Sequence, residues 1–374
     1  MKTSSSLWVK TLLAGTILFT GLPAITPNQA IYAASSQVTV NSSTDVTSAL
    51  YNSLMNRDTE ITLLYKGSTS GLKAMLQNSF ENALEKDPYT HYILDSYGLS
   101  WRQNAYSARV TVTMNYRETT AQTGYVKNKV QQILSNIVSS SMDDHEKVKA
   151  IHDWVVRNVK YDETYTRYTA YEALHDGTAV CQGYALLTYE LLKEAGVQNM
   201  IAEGTADGEL HAWNLVNLDG KWYHLDTTWD DPVPDQGNDV QTAYYLLTDS
   251  QMRQDHKWTK TYPAANTTYH STLDQLIAAG GPKTSIYQQL AKTLNYVSAA
   301  SESQAISSAA ALKSHVQAAR TAGKNAVSFR YSGSLTSLKN DLRGLSSVGL
   351  KSLSYSVKSI NSTNDLKVTL SWNK

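Results

Sequence analysis

The chain has 374 residues, a single cysteine, and 33 basic side chains against 33 acidic ones. Balanced charge argues against binding of nucleic acid through a basic surface, and one cysteine excludes an intramolecular disulfide. The length allows two or three domains.

The first residues are typical of a secretory signal peptide. Lys2 and Lys10 give a positive start, residues 11–22 form a short apolar run, and small residues surround positions 30–34. The run is too short to span a bilayer by itself, and no later stretch is long and apolar enough. We therefore predict a signal over residues 1–34 and a mature protein that is secreted or associated with the cell surface or cell wall, without a membrane span.

Residues 35–135 are predicted to form a small α/β module. Helices are expected over residues 46–55 and 72–84, and strands over residues 60–65, 92–101 and 108–116. In the last of these strands Val110, Val112 and Met114 alternate with threonines, which predicts one buried face.

The next segment, residues 136–275, is predicted to be the catalytic domain. It follows a helix over residues 125–138, and Ser141 with Asp144 resembles a capping box for the next helix. That helix carries an apolar stripe of Val148, Ile151, Val155 and Val159, so we expect it to pack behind the catalytic helix and its His152 and Trp154 to be structural. The tyrosine-rich residues 161–175 are a candidate wall for a cleft.

The only cysteine lies where a helix is predicted to begin. Apolar Leu187, Leu191 and Ala195 recur at helical spacing after Tyr184, and Gly196 is a typical stop. Cys181 is therefore expected in or just before the first turn, where free backbone N–H groups favour a reactive thiolate.

The dipeptide Asp219-Gly220 between two β-prone runs predicts a hairpin with a two-residue type I′ turn. With Leu218 opposite Lys221, Trp213 lies opposite Asp226, which places His211 and Asp226 on one face as diagonal neighbours. His224 shares that face but lies about 13 Å closer to the turn, so we expect it outside the site.

A thiol, an imidazole and a carboxylate that orients it make up the triad of acyl-transfer chemistry. Each residue alone has a structural explanation, but Cys181, His211 and Asp226 together satisfy several independent geometric conditions. The oxyanion of the reaction needs hydrogen-bond donors. The Cys181 backbone N–H is one candidate, and the side chains of Gln182, Tyr171 and Trp213 are alternatives that the sequence does not separate.

These residues resemble the transglutaminase-like superfamily over residues 143–258. The resemblance lies in Asn158-Val159-Lys160-Tyr161, Gly177 to Ala185 around Cys181, His211-Ala212-Trp213-Asn214 and Leu225-Asp226-Thr227-Thr228-Trp229. It implies an α+β fold, with a papain-like core that places the cysteine at a helix N-terminus against an antiparallel sheet. It also implies that Cys181 is the nucleophile, His211 the base and Asp226 its partner. The flanks do not resemble the animal enzymes, so crosslinking activity is not implied.

The rest of the catalytic segment gives weaker predictions. The acidic loop over residues 230–239 has a spacing that could hold calcium, but it lacks the full ligand order of an EF-hand. We therefore expect a solvated loop and keep calcium binding as the alternative. Residues 244–247 are predicted to form a strand, and residues 261–285 a loose connector.

The C-terminal segment, residues 300–374, repeats the element order of the N-terminal module. A helix over residues 309–322, a strand over 326–331, a helix over 335–345 and strands over 350–360 and 366–372 match it in turn. We predict two similar modules that flank the core, each able to fold apart from it; two unrelated segments with a common element order are the alternative.

The sequence therefore predicts a secreted thiol enzyme that attacks amide or peptide carbonyls, a protease, an amidase or a transglutaminase. Its partner would be a peptide or protein substrate, with cell-wall peptides as one class, and no cofactor or metal is expected. The alternative is a non-catalytic surface or wall-binding protein built on the same scaffold.

Overall fold

The computed structural model describes residues 16–17, 36–231, 240–294, 296, 305–321, 324–350, 353–359 and 365–372. These residues form two compact units, one that ends at Tyr245 and includes Asp249–Ala264, and one that comprises Leu246–Thr248 and the residues from Ala265 onward. Among the described residues, no helix has the length and apolar character needed to cross a membrane. The predicted signal cleavage site lies outside the described residues.

The first sheet lies in the N-terminal part of the chain. Its strands are β1 (Thr16–Ile17), β2 (Ser36–Val40), β3 (Glu60–Lys66), β4 (Leu94–Gln103) and β5 (Ser107–Tyr116), in the order β1-β4-β5-β3-β2. The helices beside it are α1 (Ser43–Asn56), α2 (Leu72–Leu84) and α3 (Pro88–Ile93). The alternation predicted for β5 is confirmed, because Val110, Val112 and Met114 are fully buried. The strand predicted from residue 92 begins at Leu94 instead, since Asp87 caps a short helix with Pro88 in its first turn.

Four helices follow: α4 (Thr120–Ile137), α5 (Asp144–Asn158), α6 (Ala170–His175) and α7 (Cys181–Glu194). The capping box of α5 consists of Asp143 and Glu146, so the sequence prediction for Ser141 and Asp144 is wrong by two residues. The apolar stripe of α5 is buried as predicted. Residues 181–192 of α7 are all buried, which makes this helix the centre of the first unit.

A four-stranded antiparallel sheet packs against α7. It consists of β8 (Asn199–Ala206), β9 (Glu209–Leu218), β10 (Lys221–Leu225) and β11 (His256–Lys257) in the order β10-β9-β8-β11. A separate parallel pair joins β6 (Lys160–Tyr161) to β7 (Thr178–Ala179), and α8 (Asp249–Met252) is a single turn. The strand predicted at residues 244–247 is wrong: the segment turns, and Leu246 has a left-handed φ of 54°.

The second unit begins with α9 (Tyr269–Ala279) and α10 (Thr284–Thr293), so the connector predicted over residues 261–285 is wrong in part. It continues with α11 (Ala309–Thr321), β12 (Ala326–Tyr331), α12 (Leu335–Arg343), a 3₁₀ turn (Gly344–Val348), β13 (Leu353–Ser359) and β14 (Leu366–Trp372). In its sheet, β12-β14-β13, the last strand lies between the other two and is antiparallel to both, as β5 lies between β3 and β4. The order β3-β5-β4 of the N-terminal sheet thus matches the order β12-β14-β13, while the independent folding of the two segments stays a prediction.

Gly183, two residues after the cysteine, allows the first turn of α7 to pack closely against residues 169 and 179. A Cβ on Gly183 would lie 2.6 Å from the Ala179 Cβ and 2.9 Å from the Thr169 carbonyl oxygen. We expect Gly183→Ala to lower the free energy of unfolding by about 1–3 kcal/mol, measured by urea denaturation, because backbone atoms cannot yield easily. Gly124→Ala in α4 is the control: a Cβ there meets nothing within 4 Å, so it should stabilise the protein by about 0.5–1 kcal/mol.

Candidate active site

The single cysteine is the first residue of the central helix, as predicted. Val180 is the N-cap of α7, with extended backbone and no side-chain cap, so the first free N–H groups of the helix are not occupied by a capping side chain. The Cys181 side chain is buried, with 4% of its surface exposed. Cys181 therefore lies at the positive end of the α7 dipole.

The chain that leads into the cysteine is held by the neighbouring tyrosine-rich segment. In the β6–β7 pair, Tyr161 lies opposite Ala179, and the Val180 N–H donates to the Arg167 carbonyl at 2.8 Å. The Asp162 carboxylate accepts three backbone N–H groups of residues 164–167. Although the carboxylate is desolvated, these and other hydrogen bonds hold the pKa of Asp162 well below its ordinary value.

The hairpin has the predicted register. Lys221 pairs with Leu218, and the pairing continues to Leu225 opposite Asn214. Asp219 and Gly220 both have positive φ, 52° and 78°, which is the requirement of a type I′ turn. His145 of α5 further fixes the turn, with its Nε2 3.0 Å from the Asp219 carboxylate.

The register brings the predicted base and carboxylate into contact. His211 Nε2 lies 2.6 Å from Asp226 Oδ2, and the Thr228 and Trp229 backbone N–H groups donate to Asp226 Oδ1 at 3.0 and 3.1 Å. Burial disfavours charge on the imidazole, but the charge and hydrogen bond of Asp226 prevail, with a further contribution from Cys181, and raise the pKa of His211 to about 10. Burial acts against the Asp226 carboxylate as well, yet His211 holds its pKa well below the ordinary value.

Cys181 is the third residue of the predicted triad and lies beside His211. Cys181 lies close enough to His211 to contribute to the raised pKa of its ring, and because Nε2 contacts Asp226, Nδ1 is the ring nitrogen left for the thiol. Trp213 stacks on the His211 ring at 5.8 Å between centroids with an interplanar angle of 16°, which fixes the plane of the imidazole. Cysteine, histidine and aspartate are thus linked in the order that a thiol triad requires.

The model of the transglutaminase-like superfamily matches residues 131–227, which include all three residues. This segment is a transglutaminase-like domain. Among curated proteins, the mouse kyphoscoliosis peptidase is 28% identical over 138 residues, 32% of this chain and 21% of that protein. The human one is 27% identical over 144 residues, 33% of this chain and 22% of that protein. The matched stretch thus spans about a fifth of each relative.

Two solved structures resemble the chain at low overall similarity. A crystal structure of a TGase is 14% identical with a TM-score of 0.28, over 51% of this chain and 59% of that one. A candidate cysteine protease from Cytophaga hutchinsonii is 17% identical with a TM-score of 0.26, over 36% of this chain and 57% of that one. Together with the family match, the mixed α+β architecture and its antiparallel sheets agree with the predicted fold class.

Within the transglutaminase-like domain, two of the three side chains predicted as oxyanion donors are engaged elsewhere. The Trp213 indole N–H donates to His224 Nδ1 at 2.9 Å, and the Gln182 amide donates to the Tyr92 carbonyl at 2.7 Å. The Tyr171 ring stacks on His175 at 5.0 Å, and its hydroxyl stays a predicted donor. We assign the oxyanion role to neither Trp213 nor Gln182.

His224 lies outside the triad, as the register predicts. Its Nδ1 accepts the Trp213 indole N–H, and its Nε2 lies 2.8 Å from Asp249 Oδ1. This separate imidazole–carboxylate pair supports the ring that stacks on His211.

Sequence reasoning missed two residues near the triad. His256 Nε2 lies 3.1 Å from Asp226 Oδ2, so the carboxylate contacts two imidazoles. Tyr161 is close enough to Cys181 that, after burial, the cysteine is the largest cause of its raised pKa. The motif that ends in Tyr161 was visible in the sequence as part of the family resemblance, whereas His256 has no local pattern that points to Asp226.

The same cluster contains residue types that can bind a metal ion. Among the described residues, one group of three potential ligands, His211, Asp226 and His256, has its ligand atoms within 4.8 Å of one another. Both imidazole Nε2 atoms lie at hydrogen-bond distance from the same carboxylate oxygen. Hydrogen bonds from the two imidazoles to Asp226 account for this arrangement, and we assign no metal to it.

The first two aspartates of the acidic loop are not solvated, which corrects the sequence prediction. Asp230 is fully buried and contacts His152 Nε2 at 3.0 Å and the Tyr244 backbone N–H at 2.8 Å. Asp231 accepts the Tyr184 hydroxyl at 2.5 Å. His152 therefore has the structural role expected of it, while the remaining loop residues, 232–239, lie outside the described part of the chain.

Proposed function

We propose that the protein is an exported thiol hydrolase, a peptidase or amidase that attacks amide carbonyls through Cys181, His211 and Asp226. The observation that carries this proposal is the contact of His211 Nε2 with Asp226, which leaves Nδ1 of the ring for the neighbouring Cys181 at the N-terminus of a buried helix. A scaffold that only binds a wall or protein ligand would not need these three groups in this order.

The proposed reaction begins with an ion pair, the Cys181 thiolate and the His211 imidazolium. The raised pKa of His211 keeps its ring protonated at neutral pH. Sγ attacks the carbonyl carbon, the carbon–nitrogen bond breaks, and His211 donates its Nδ1 proton to the departing amine. Neutral His211 then takes a proton from water, the hydroxide attacks the thioester, and the carboxylic acid leaves as the carbon–sulfur bond breaks.

Water as the final acceptor is supported by the name of the curated relatives, which are peptidases. Since the match covers about a fifth of each, their substrates are not transferred to this chain. Export is supported by Lys2, Lys10 and the apolar run over residues 11–22, which makes extracellular or cell-wall peptides the substrate class that we propose.

The test is an assay with a panel of peptides, including wall-derived ones, with and without an added primary amine. We expect new peptide termini or released ammonia, and a thioester on Cys181 that mass spectrometry detects after acid quench. If the added amine is incorporated into the peptide and no hydrolysis occurs, the protein is a transferase and the hydrolase proposal is wrong. A chain that forms no acyl-enzyme with any member of the panel, and whose Cys181 is alkylated no faster than a free thiol, would support the scaffold alternative.

We propose the Tyr161 hydroxyl as an oxyanion donor for the same reaction, together with the Cys181 backbone N–H. The β6–β7 pairing places Tyr161 next to the segment that enters α7, and among the described residues its hydroxyl has no hydrogen-bond partner. We expect Tyr161→Phe to lower kcat about 10²-fold, the order of effect of one oxyanion donor. Tyr168→Phe is the control, because the Tyr168 hydroxyl donates to the Tyr165 carbonyl at 2.8 Å; equal losses in the two variants would contradict the assignment.

A further inference from the structure

The proposed triad ends in a carboxylate whose acceptor sites are fully used. Asp226 Oδ1 accepts two backbone N–H groups, and Oδ2 lies within hydrogen-bond distance of His211 Nε2 and His256 Nε2. A carboxylate offers about four such sites. His256 contacts the same Asp226 oxygen that orients His211. This contact is more than packing, because it affects the negative charge that stabilises the His211 ring.

The other side of the second imidazole faces another carboxylate. His256 Nδ1 lies 2.6 Å from Asp255 Oδ1, and Asp255 Oδ2 accepts the Tyr244 hydroxyl at 2.6 Å. A neutral imidazole has one N–H donor and one bare nitrogen, so it would turn a lone pair toward one of the two carboxylates. Two N–H donors, and hence a positive charge, satisfy both contacts.

The fold holds this ring without freedom to turn away. His256 is fully buried on β11, where it pairs with Ala206 of β8. Its ring packs on Trp229 and Trp213 at 4.7 and 5.3 Å between centroids and edge-on to His211 at 5.3 Å. Strands β8 and β11 approach each other closely at Gly204. A Cβ at this position would lie 2.0 Å from the Lys257 carbonyl oxygen, so only glycine fits there.

From this geometry we infer that His256 is a positioning residue of the reaction: held between Asp226 and Asp255, it fixes the Asp226 carboxylate and takes a share of the charge that acts on His211. The inference rests on the proposed function. It predicts that the imidazolium of His211 is stabilised less than it would be by Asp226 alone, and so gives up its proton to the leaving amine more readily.

Other charged and titratable groups around His256 are accounted for. Asp226, His211, Asp255 and Tyr244 contact it directly. Burial is the main cause that lowers the pKa of His224, and His256 lowers it further. Of these, Asp226 is the group through which a change at His256 reaches His211 by a hydrogen bond.

The experiment is the pH dependence of Cys181 alkylation by iodoacetamide, which needs no substrate. In the intact chain the rate should show a lower inflection for thiolate formation and an upper one for loss of the His211 proton. With His256→Gln, which keeps a donor but not the charge, we expect the upper inflection to move up by about one pH unit, because Asp226 then acts on His211 unshared. His270→Gln, a buried histidine on α9 of the second unit, should leave the inflection in place.

A second variant covers a failure of His256→Gln to fold. Asp255→Asn removes the outer carboxylate and with it the support for a charged His256, so it should move the upper inflection in the same direction. If the intact chain shows only the titration of an ordinary thiol, the proposed function fails. If the intact chain shows both inflections and neither variant moves the upper one, the positioning role of His256 is refuted while the triad stands.

Discussion

Cys181→Ala is expected to abolish peptide hydrolysis and thioester formation, with a loss of about 10⁶-fold, the order seen when the nucleophile of a triad is removed. The reason is that the reaction proceeds through a covalent bond to Sγ, and alanine leaves only the binding site and the oxyanion donors. The measurement is turnover of the best peptide of the panel, with acid quench and mass spectrometry for the acyl-enzyme.

The chain makes this test unusually clean. Cys181 is the only cysteine, so alkylation labels one site, and no other thiol can substitute for it. Cys181→Ser is the matched variant, because it keeps the shape of the side chain but lacks an ionised nucleophile; its loss should be of similar size. A Cys181→Ala protein that folds, judged by its thermal unfolding, and still hydrolyses the peptide would place the nucleophile elsewhere.

Local chemistry explains what the sequence could predict of the site. A two-residue turn determines the register of both strands that leave it, so Asp219-Gly220 was enough to place His211 beside Asp226 and His224 away from the triad. The start of α7 followed in the same way from helical spacing around Cys181.

The parts that the sequence could not predict depend on distant contacts. His256 comes 30 residues after Asp226 on a strand of two residues, which is too short to show a period. Asp230 seemed part of a polar loop because its partner, His152, lies on α5, 78 positions earlier. The short helix at Pro88 took the first two residues of one predicted strand, because Asp87 caps it. The turn at residues 244–247 replaced another, because left-handed backbone overrides apolar composition.

The extension beyond Asp226 changes how the carboxylate should be viewed. The sequence makes Asp226 the last group of a triad. In the structure Asp226 lies in the middle of a series of neighbouring side chains, which are Cys181, His211, Asp226, His256 and Asp255. A negative group bound by two imidazoles and two backbone N–H groups is rigid as well as charged. Substitution at this position should therefore affect turnover, pH dependence and stability together.

Asp226→Asn is expected to lower turnover by about 10³–10⁴-fold, since the equivalent change in a serine triad costs about 10⁴-fold. An amide oxygen can accept one N–H, but its NH₂ group must then face donors, and no charge remains to stabilise the imidazolium of His211. The matched control is Asp249→Asn, which changes a carboxylate that contacts His224 at 2.8 Å and lies outside the triad. It should keep most of the activity, and equal losses would indicate that the fold of the sheet, rather than the triad, is what both variants damage.

The same variant should reveal the ion pair in the pH dependence of stability. The lowered pKa of Asp226 contributes stability that is present above the unfolded value of 3.8 and lost as the pH falls below it. The raised pKa of His211 contributes stability that is fully present below 6.5 and lost as the pH rises through about 10. The difference in unfolding free energy between the intact chain and Asp226→Asn should therefore be largest between about pH 4 and 6.5 and shrink toward both extremes, as urea denaturation at several pH values would show. A difference that stays constant across this range would mean that Asp226 and His211 are not charged partners in the folded protein.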